Sequence, residues 1–171
     1  MSNRKIPLTT REICVFAFLG AIMFCAKFLM EAIPNIHPLA MIISAVTIVY
    51  RKKALLPIYV YVLLDGLRSG FSFWWIPQIY LWAVLWAAVM IASSGKKPYG
   101  VVRYIIIGGI FGLSFGTLYA PVQAIMFGLS FKGAVAWVLA GLPFDAAHGL
   151  GNAAFCMLTV PMAKLLDREK P

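Results

Sequence analysis

Charge is what this sequence has least of for its size. Asp, Glu, Lys and Arg make up 12% of its 171 residues, against 62% hydrophobic residues, whereas soluble domains carry about a quarter charged residues. That shortage excludes a water-soluble globular domain and points to a chain solvated by lipid. Three cysteines, Cys14, Cys25 and Cys156, lie singly inside apolar runs, which excludes a disulfide framework and a CxxC metal site and leaves them as small packing residues. Histidine occurs twice, at His37 and His148, too few for a histidine-built metal centre. There is no Walker motif, so the chain cannot couple to ATP by itself. GxSxG and HExxH are equally absent, which removes the familiar hydrolase signatures. No strand-like alternation, low-complexity tract or fixed-period repeat interrupts the chain, so residues 1–171 read as one all-α transmembrane domain.

What is present is a series of apolar runs, in a chain whose mean hydropathy is +0.87. About 20 apolar residues cross a bilayer as a helix. The runs are Glu12–Met30, Ile36–Tyr50, Ala54–Leu67, Phe73–Ala92, Val101–Phe127 and a final one completed by Phe144–Leu166. The second and third are short, and Arg51-Lys52-Lys53 between them reads as the tip of a tight helical hairpin. Before the last run, Lys132–Leu142 reads as an interfacial lead-in that Pro143 interrupts. The first run follows a basic N-terminus but no small-x-small cleavage site, so it is expected to be a retained helix. The net charge of +9 does not imply nucleic acid, because the basic residues cluster between apolar runs. With six spans and the N-terminus inside, Arg4, Lys5, Arg11, Arg51, Lys52, Lys53, Lys96, Lys97, Arg103, Lys164, Arg168 and Lys170 fall on the inner side. Lys27, Arg68 and Lys132 are left outside. The positive-inside rule therefore predicts both termini in the cytoplasm.

Ionisable groups at membrane depth cost a few kcal/mol each, and here they gather at the outer ends of the runs. Lys27, Glu31 and His37 flank the first outer connection, Asp65 and Arg68 the second, Asp145 and His148 the third. Lys27 and Glu31 are spaced for an i,i+4 ion pair. Asp145, His148 and Asn152 share one helical face. Phe71 to Tyr80 is the densest aromatic stretch; Trp74 and Trp75 can form a lid over a ligand or part of a headgroup belt, and Trp82 and Trp86 fit the belt. Tyr119, Gln123 and Trp137 add polar and aromatic groups on the same side. The expected ligand-binding set is Asn35, His37, Asp65, Arg68, Trp74, Trp75, Tyr119, Gln123, Asp145 and His148, with no catalytic residue and no metal ligand. Lys27 and Arg68 both have carboxylates nearby, which favours a neutral ligand over an anionic one.

Lipid offers no hydrophobic drive for helix association, so close packing relies on small residues. Gly108, Gly112, Gly116 and Ala120 form an i,i+4 stripe suited to packing within the protein. Ala17, Gly20, Ala21 and Cys25 give the first helix a smooth surface that serves either internal packing or a partner.

Ala17-Phe18-Leu19-Gly20-Ala21 is similar to the Ala-x-x-x-Ala signature on helix one of the S components of energy-coupling factor (ECF) vitamin transporters. The length, the six runs and the polar groups confined to one side resemble that family along essentially the whole chain. Pro34-Asn35-Ile36-His37-Pro38, Phe73-Trp74-Trp75 and Gly141-Leu142-Pro143-Phe144-Asp145 look most like its lactobacillal cobalamin-type members. The resemblance implies a six-helix S-component bundle in a bacterial plasma membrane. It further implies capture of a vitamin from outside, with cobalamin or another corrinoid first and pantothenate or a thiamine pyrimidine precursor as alternatives. The implied partners are a transmembrane coupling subunit (T component), docked on the helix-one face of Ala17, Gly20, Ala21 and Cys25, and two cytoplasmic ATPases. Their ATP hydrolysis would topple this subunit in the bilayer. No cofactor is implied for the chain itself. A stand-alone secondary transporter or channel, the main rival, would need ionisable groups at mid-membrane or on both sides of its pathway. A membrane assembly protein and a membrane enzyme are the lesser rivals.

Overall fold

A computed structural model describes residues 8–33, 35–95 and 98–170; Arg4, Lys5, Pro34, Lys96 and Lys97, which enter the topology and motif expectations, lie outside them. Among the described residues every regular element is helical. They are α1 (Thr10–Leu29), α2 (Leu39–Tyr50), a 3-10 turn (Arg51–Ala54), α3 (Leu55–Ser69), α4 (Gln78–Ala92), α5 (Val101–Leu113), α6 (Phe115–Phe127), α7 (Phe131–Cys156) and α8 (Thr159–Arg168). Thr9 starts α1 with a capping box, its hydroxyl accepting from the Glu12 N–H while Glu12 accepts from the Thr9 N–H, both at 3.1 Å.

Among the described residues two helices are long and apolar enough to cross a membrane: α1, and the 27 residues of α5 and α6 taken together. The bent pair α7 and α8, inclined at 48°, makes a third. Helices α2, α3 and α4 have 12, 15 and 15 residues, about 18 to 23 Å at 1.5 Å per residue, which is short of a hydrocarbon core of about 30 Å. Pro143 does not interrupt the last run as expected: α7 passes through it. One missing N–H is a smaller penalty than ending a helix whose two halves pack on α5 and α6. The break falls instead at Met157 and Leu158, where Pro161 cannot donate to the Met157 carbonyl and the chain turns into α8.

Helix α2 is the centre of the bundle, buried along its whole length and packed by α1, α4, α5, α7 and α8. Its polar residues need no outside partner, because Ser44 and Thr47 donate back to the carbonyls of Ala40 and Ile43 at 2.6 and 2.7 Å.

The closest helix pairing is α5 and α6 against α7, and the glycine stripe sets it. A Cβ placed on Gly108 would sit 2.5 Å from Cys156 Sγ, one on Gly112 2.6 Å from the Gly149 backbone, and one on Gly116 2.6 Å from Asp145 Oδ2. The stripe is therefore internal packing, as the sequence suggested. Gly20 is internal as well, since its Cβ would meet Val60 at 2.5 Å on α3. Its assignment to a free docking face is corrected: the small residue is there to admit α3.

The bundle has two chemically distinct ends. At the basic end Lys53 pairs with Glu12 at 2.5 Å, Arg51 donates to Ser93 and Ser94, Arg103 donates to the Ala92 carbonyl, and Lys170 donates to the Val49 carbonyl. The opposite end carries Trp74, Trp75, Tyr119 and Phe127, together with Lys27, Glu31, Asp65 and Arg68.

If backbone contact between α5 and α7 holds the bundle together, Gly112→Ala should destabilise the detergent-solubilised protein by about 2 to 3 kcal/mol, the scale of overpacking. Gly109→Ala, whose Cβ meets nothing nearer than 3.6 Å, should be tolerated. Equal melting temperatures for the two variants would contradict this pairing.

Candidate ligand site

At the aromatic end the chain leaves a cavity of about 350 Å³ between the α1–α2 connection, the loop before α4, α6 and α7. Its walls are Trp74, Phe115, Tyr119, Trp137 and Phe144; Asn35 and Asp145 bring polar atoms, and Gly116 and Gly141 leave room. Each wall has a local cause. The Tyr119 hydroxyl donates to the Trp74 carbonyl and the two rings stand 6.1 Å apart, so α6 holds the loop that carries Trp74. Asn35 adopts a left-handed backbone conformation (φ 60°), which asparagine tolerates better than most residues. Its Nδ2 donates to the Phe144 carbonyl at 3.5 Å, tying the α1–α2 connection to α7.

Asp145 is the one charged residue in this lining and is almost fully buried. The helix ladder is interrupted at Ser114, and the freed Gly116 N–H donates to both carboxylate oxygens of Asp145, at 3.0 and 3.1 Å. A carboxylate at the N-terminus of α6 is favoured by the helix dipole. One N–H leaves most of its lone pairs for a ligand. With no Lys or Arg in the lining, the cavity repels an anion and suits a neutral or cationic aromatic molecule.

Four expected site residues, Asn35, Trp74, Tyr119 and Asp145, thus line one cavity. Gln123 and His148 are buried close to it and His37 is half-buried there, but none of the three lines it. The two imidazoles lie 5.3 Å apart, and the His148 ring is 4.6 Å from that of Phe115. His37 Nδ1, both nitrogens of His148, both side-chain polar atoms of Asn152 and Gln123 Nε2 are buried without a hydrogen-bond partner among the described residues. Such groups typically cost about 1 to 3 kcal/mol each and call for an explanation.

The remaining three do not belong to the cavity. Asp65 accepts from Lys27 Nζ at 2.6 Å and from Gln78 Nε2 at 2.8 Å. Arg68 forms a fork with Glu31 at 3.1 and 2.7 Å and stacks over Phe28 at 4.4 Å. Both pairs tie the end of α1 to the end of α3. They replace the expected i,i+4 pairing of Lys27 with Glu31, because α1 turns Lys27 towards the buried Asp65 and leaves Glu31 exposed beside Arg68. The Arg68 hydrogen bonds hold the Glu31 carboxyl below the usual carboxylate range. Trp75 is a strut, not a lid: its Nε1 donates to the Val62 carbonyl at 2.7 Å and it packs edge-on with Phe71 over Gly66. Trp82 is not a belt residue. Trp82 is buried against Tyr61, Phe111 and Phe115, and Trp86 donates to the Arg51 carbonyl at 3.1 Å at the basic end.

Sequence reasoning left out Phe115, Gly116, Gly141 and Phe144. Phe115 lies in an unbroken apolar run with nothing to mark it, while Gly116 was legible as a packing residue, which it also is. Compared with protein-family models, curated proteins and solved structures, the chain has no match, so the reading of this site rests on its own geometry.

His37 lies in the connection between α1 and α2. Burial, reinforced by the charge of Lys27, pushes it down to about 4 from an unfolded value near 6.5. Its neutral form is favoured by the fold, so the stability it contributes is complete above about pH 6.5 and is lost as pH falls towards 4. The apparent melting temperature of the solubilised protein should drop over that interval. His37→Gln should remove a part of the drop worth on the order of 3 kcal/mol, and an unchanged pH profile in the variant would contradict it.

Proposed function

We propose that the protein is a substrate-binding membrane subunit for a vitamin-sized molecule, working as an S component of an ECF-type importer in a bacterial plasma membrane. The observation that carries this reading is the cavity at the aromatic end. It is walled by aromatic rings, carries a single buried carboxylate, and lies at the opposite end from the basic cluster. By the positive-inside rule the basic end faces the cytoplasm and the cavity faces outside, in keeping with six membrane-embedded segments and both termini inside. Asp, Glu, Lys, Arg and His on the described α2, α5 and α6 are confined to Arg103 near the basic end, and the buried Asp145 and His148 of α7 lie beside the cavity rather than along a second pathway.

The exposed face of α1 supports a docked partner. Cys14, Ala17, Phe18, Ile22 and Cys25 are exposed and Ala21 is partly so, all within one side of the helix, while Gly20 packs inward. An apolar groove of about 490 Å³ runs beside them, bounded by Phe18, Ile22, Tyr50 and Leu166. In this reading a transmembrane coupling subunit occupies that face and two ATPases supply the energy for release.

The cavity bears on the substrate. Its 350 Å³ lies near the bottom of the range for small-molecule sites, about 300 to 1,000 Å³. A corrinoid with its amide arms exceeds that volume, and pantothenate would bring a carboxylate to a lining with no cation. Between the expected substrates, the thiamine pyrimidine precursor fits better: planar, small, and neutral or cationic.

Expressed with its native neighbours, the protein should co-purify with a coupling subunit and ATPases. Ala17→Trp with Ala21→Trp should abolish uptake and leave the affinity of the solubilised protein for its vitamin within about twofold. Failure to recover those partners from native membranes would sink the S-component reading. Loss of binding in the Trp variants would make the α1 face an internal packing surface.

A further inference from the structure

At the basic end, far from the aromatic cavity, cations converge on a recess of about 530 Å³. Arg51, Lys52, Lys53 and Lys170 border it, with Tyr50 and one carboxylate, Glu12. Lys53 already neutralises Glu12 at 2.5 Å. Arg51 and Lys170 donate to neutral groups, Arg51 to the Ser93 and Ser94 hydroxyls and Lys170 to the Val49 carbonyl at 3.2 Å. Lys52 is exposed. Arg51, Lys52 and Lys170 therefore face the recess with no carboxylate paired to them among the described residues. The positive-inside rule explains why cations lie at this end, but not why they border one concave space. Like charges held around such a space repel each other and attract an anion. The turn that carries them is fixed in place. Arg51 has a left-handed backbone (φ 55°), which a residue with a Cβ adopts at a cost, and its carbonyl accepts from Trp86 Nε1 at 3.1 Å.

Tyr50 is shared with a second hollow. It also walls the apolar groove of about 490 Å³ along α1, together with Val15, Phe18, Ile22 and Leu166. From Cys14 to Ile22 that groove follows α1 for about 12 Å at 1.5 Å per residue. Tyr50 itself is 6% exposed and stands edge-on to Phe16 at 5.1 Å, with Lys170 Nζ 5.9 Å from its ring. Helix α8 supplies the far wall. It leaves α7 at 48°, buries Thr159, Val160 and Ala163, and keeps Lys164 and Arg168 exposed beside Leu165, the mixture of an interfacial helix. Glu169 adds a carboxylate to the groove, so the two linings together hold four cations to two carboxylates. A basic recess adjoining an apolar track of this length has the shape of a lipid with an anionic headgroup. The basic end faces the cytoplasmic leaflet, where anionic headgroups attract such clusters.

We propose that the cleft between α1, the Arg51–Lys53 turn and α8 binds one anionic phospholipid of the inner leaflet. Its phosphate lies among Arg51, Lys52 and Lys170, and one acyl chain lies in the groove beneath Tyr50. Phe18 and Ile22 also belong to the face given to the coupling subunit, so the lipid is the occupant of the groove when this subunit stands alone. The proposal requires only that the chain is embedded in a membrane with its basic end inside, and does not rest on the transport reading.

Protein purified in mild detergent and stripped of lipid is titrated separately with dioleoylphosphatidylglycerol, dioleoylphosphatidylcholine and glycerophosphate. Bound ligand is counted by native mass spectrometry. The expected result is a single phosphatidylglycerol, held at least tenfold more tightly than phosphatidylcholine, and no binding of glycerophosphate. Lys52→Gln with Lys170→Gln alters two exposed positions and should weaken phosphatidylglycerol tenfold or more. Leu166→Trp, which fills the groove, should do the same. Lys132→Gln, at an exposed cation in the first turn of α7, should change nothing. Each variant is checked for folding by size-exclusion chromatography. Equal retention of the two lipids, glycerophosphate binding as well as the lipid does, undiminished binding in the double variant or in Leu166→Trp, or an equal loss in Lys132→Gln would each overturn the lipid site. No coupling subunit takes part, so the two readings fail separately. Recovered partners without lipid selectivity would remove the lipid site and leave the transport reading, and the converse would do the opposite.

Discussion

Backbone-to-backbone contact between α5–α6 and α7 is the constraint on which the rest of this protein depends. Lipid gives two helices no hydrophobic reason to associate, so they must gain from close van der Waals contact. Gly108, Gly112 and Gly149 permit that approach. Once the register is set, Asp145 falls opposite the break at Ser114 and takes the Gly116 N–H. The same contact that packs the bundle therefore places a buried carboxylate in the cavity wall. The paired helix supplies its own counterpart to the charge, a helix N-terminus, so no basic residue is needed and the site stays free of positive charge.

A second consequence follows from the shortness of α2. Twelve residues cannot span the bundle, so the connection that leads into it must descend between the other helices. Ile36 touches the position of Gly151 well along α7, and His37 arrives beside His148. A loop that enters a bundle brings polar backbone with it, which is tolerated only where protein, and not lipid, surrounds it. Asn35, with its left-handed backbone and its bond to the Phe144 carbonyl, is one device that accommodates this entry. The central helix itself is apolar apart from Ser44, Thr47 and Tyr50, and the two hydroxyls of Ser44 and Thr47 are turned back onto its own carbonyls, as burial on every side requires.

The ion pairs illustrate how far spacing can mislead. Lys27 and Glu31 lie one turn apart and suit each other, yet each is drawn to a different residue of α3. Local pairing on an exposed helix is worth only a few tenths of a kcal/mol. A buried Asp65 with no cation would cost far more, so the long-range partner wins. The tryptophans divide by the same logic. In sequence, Trp74 and Trp75 are indistinguishable neighbours; in the fold, successive positions of the loop face opposite ways, one into the cavity and one onto Gly66.

Composition and pattern alone determined that the chain is helical and apolar, that its basic residues gather at one end, and that its costly polar residues gather at the other. They also determined that Gly108, Gly112 and Gly116 form a packing surface. These properties follow from residue type and period, which need no tertiary contact to be read. Tertiary structure alone decided which polar residues share a space. It grouped Asn35, Trp74, Tyr119 and Asp145 around a cavity and moved Asp65 and Arg68 into a clamp between α1 and α3. It also brought an unremarkable phenylalanine, Phe115, into the lining of that cavity and against the ring of His148. The reason is physical: a side chain's role depends on which helix its face meets, and that is set by register and crossing between segments far apart in the chain.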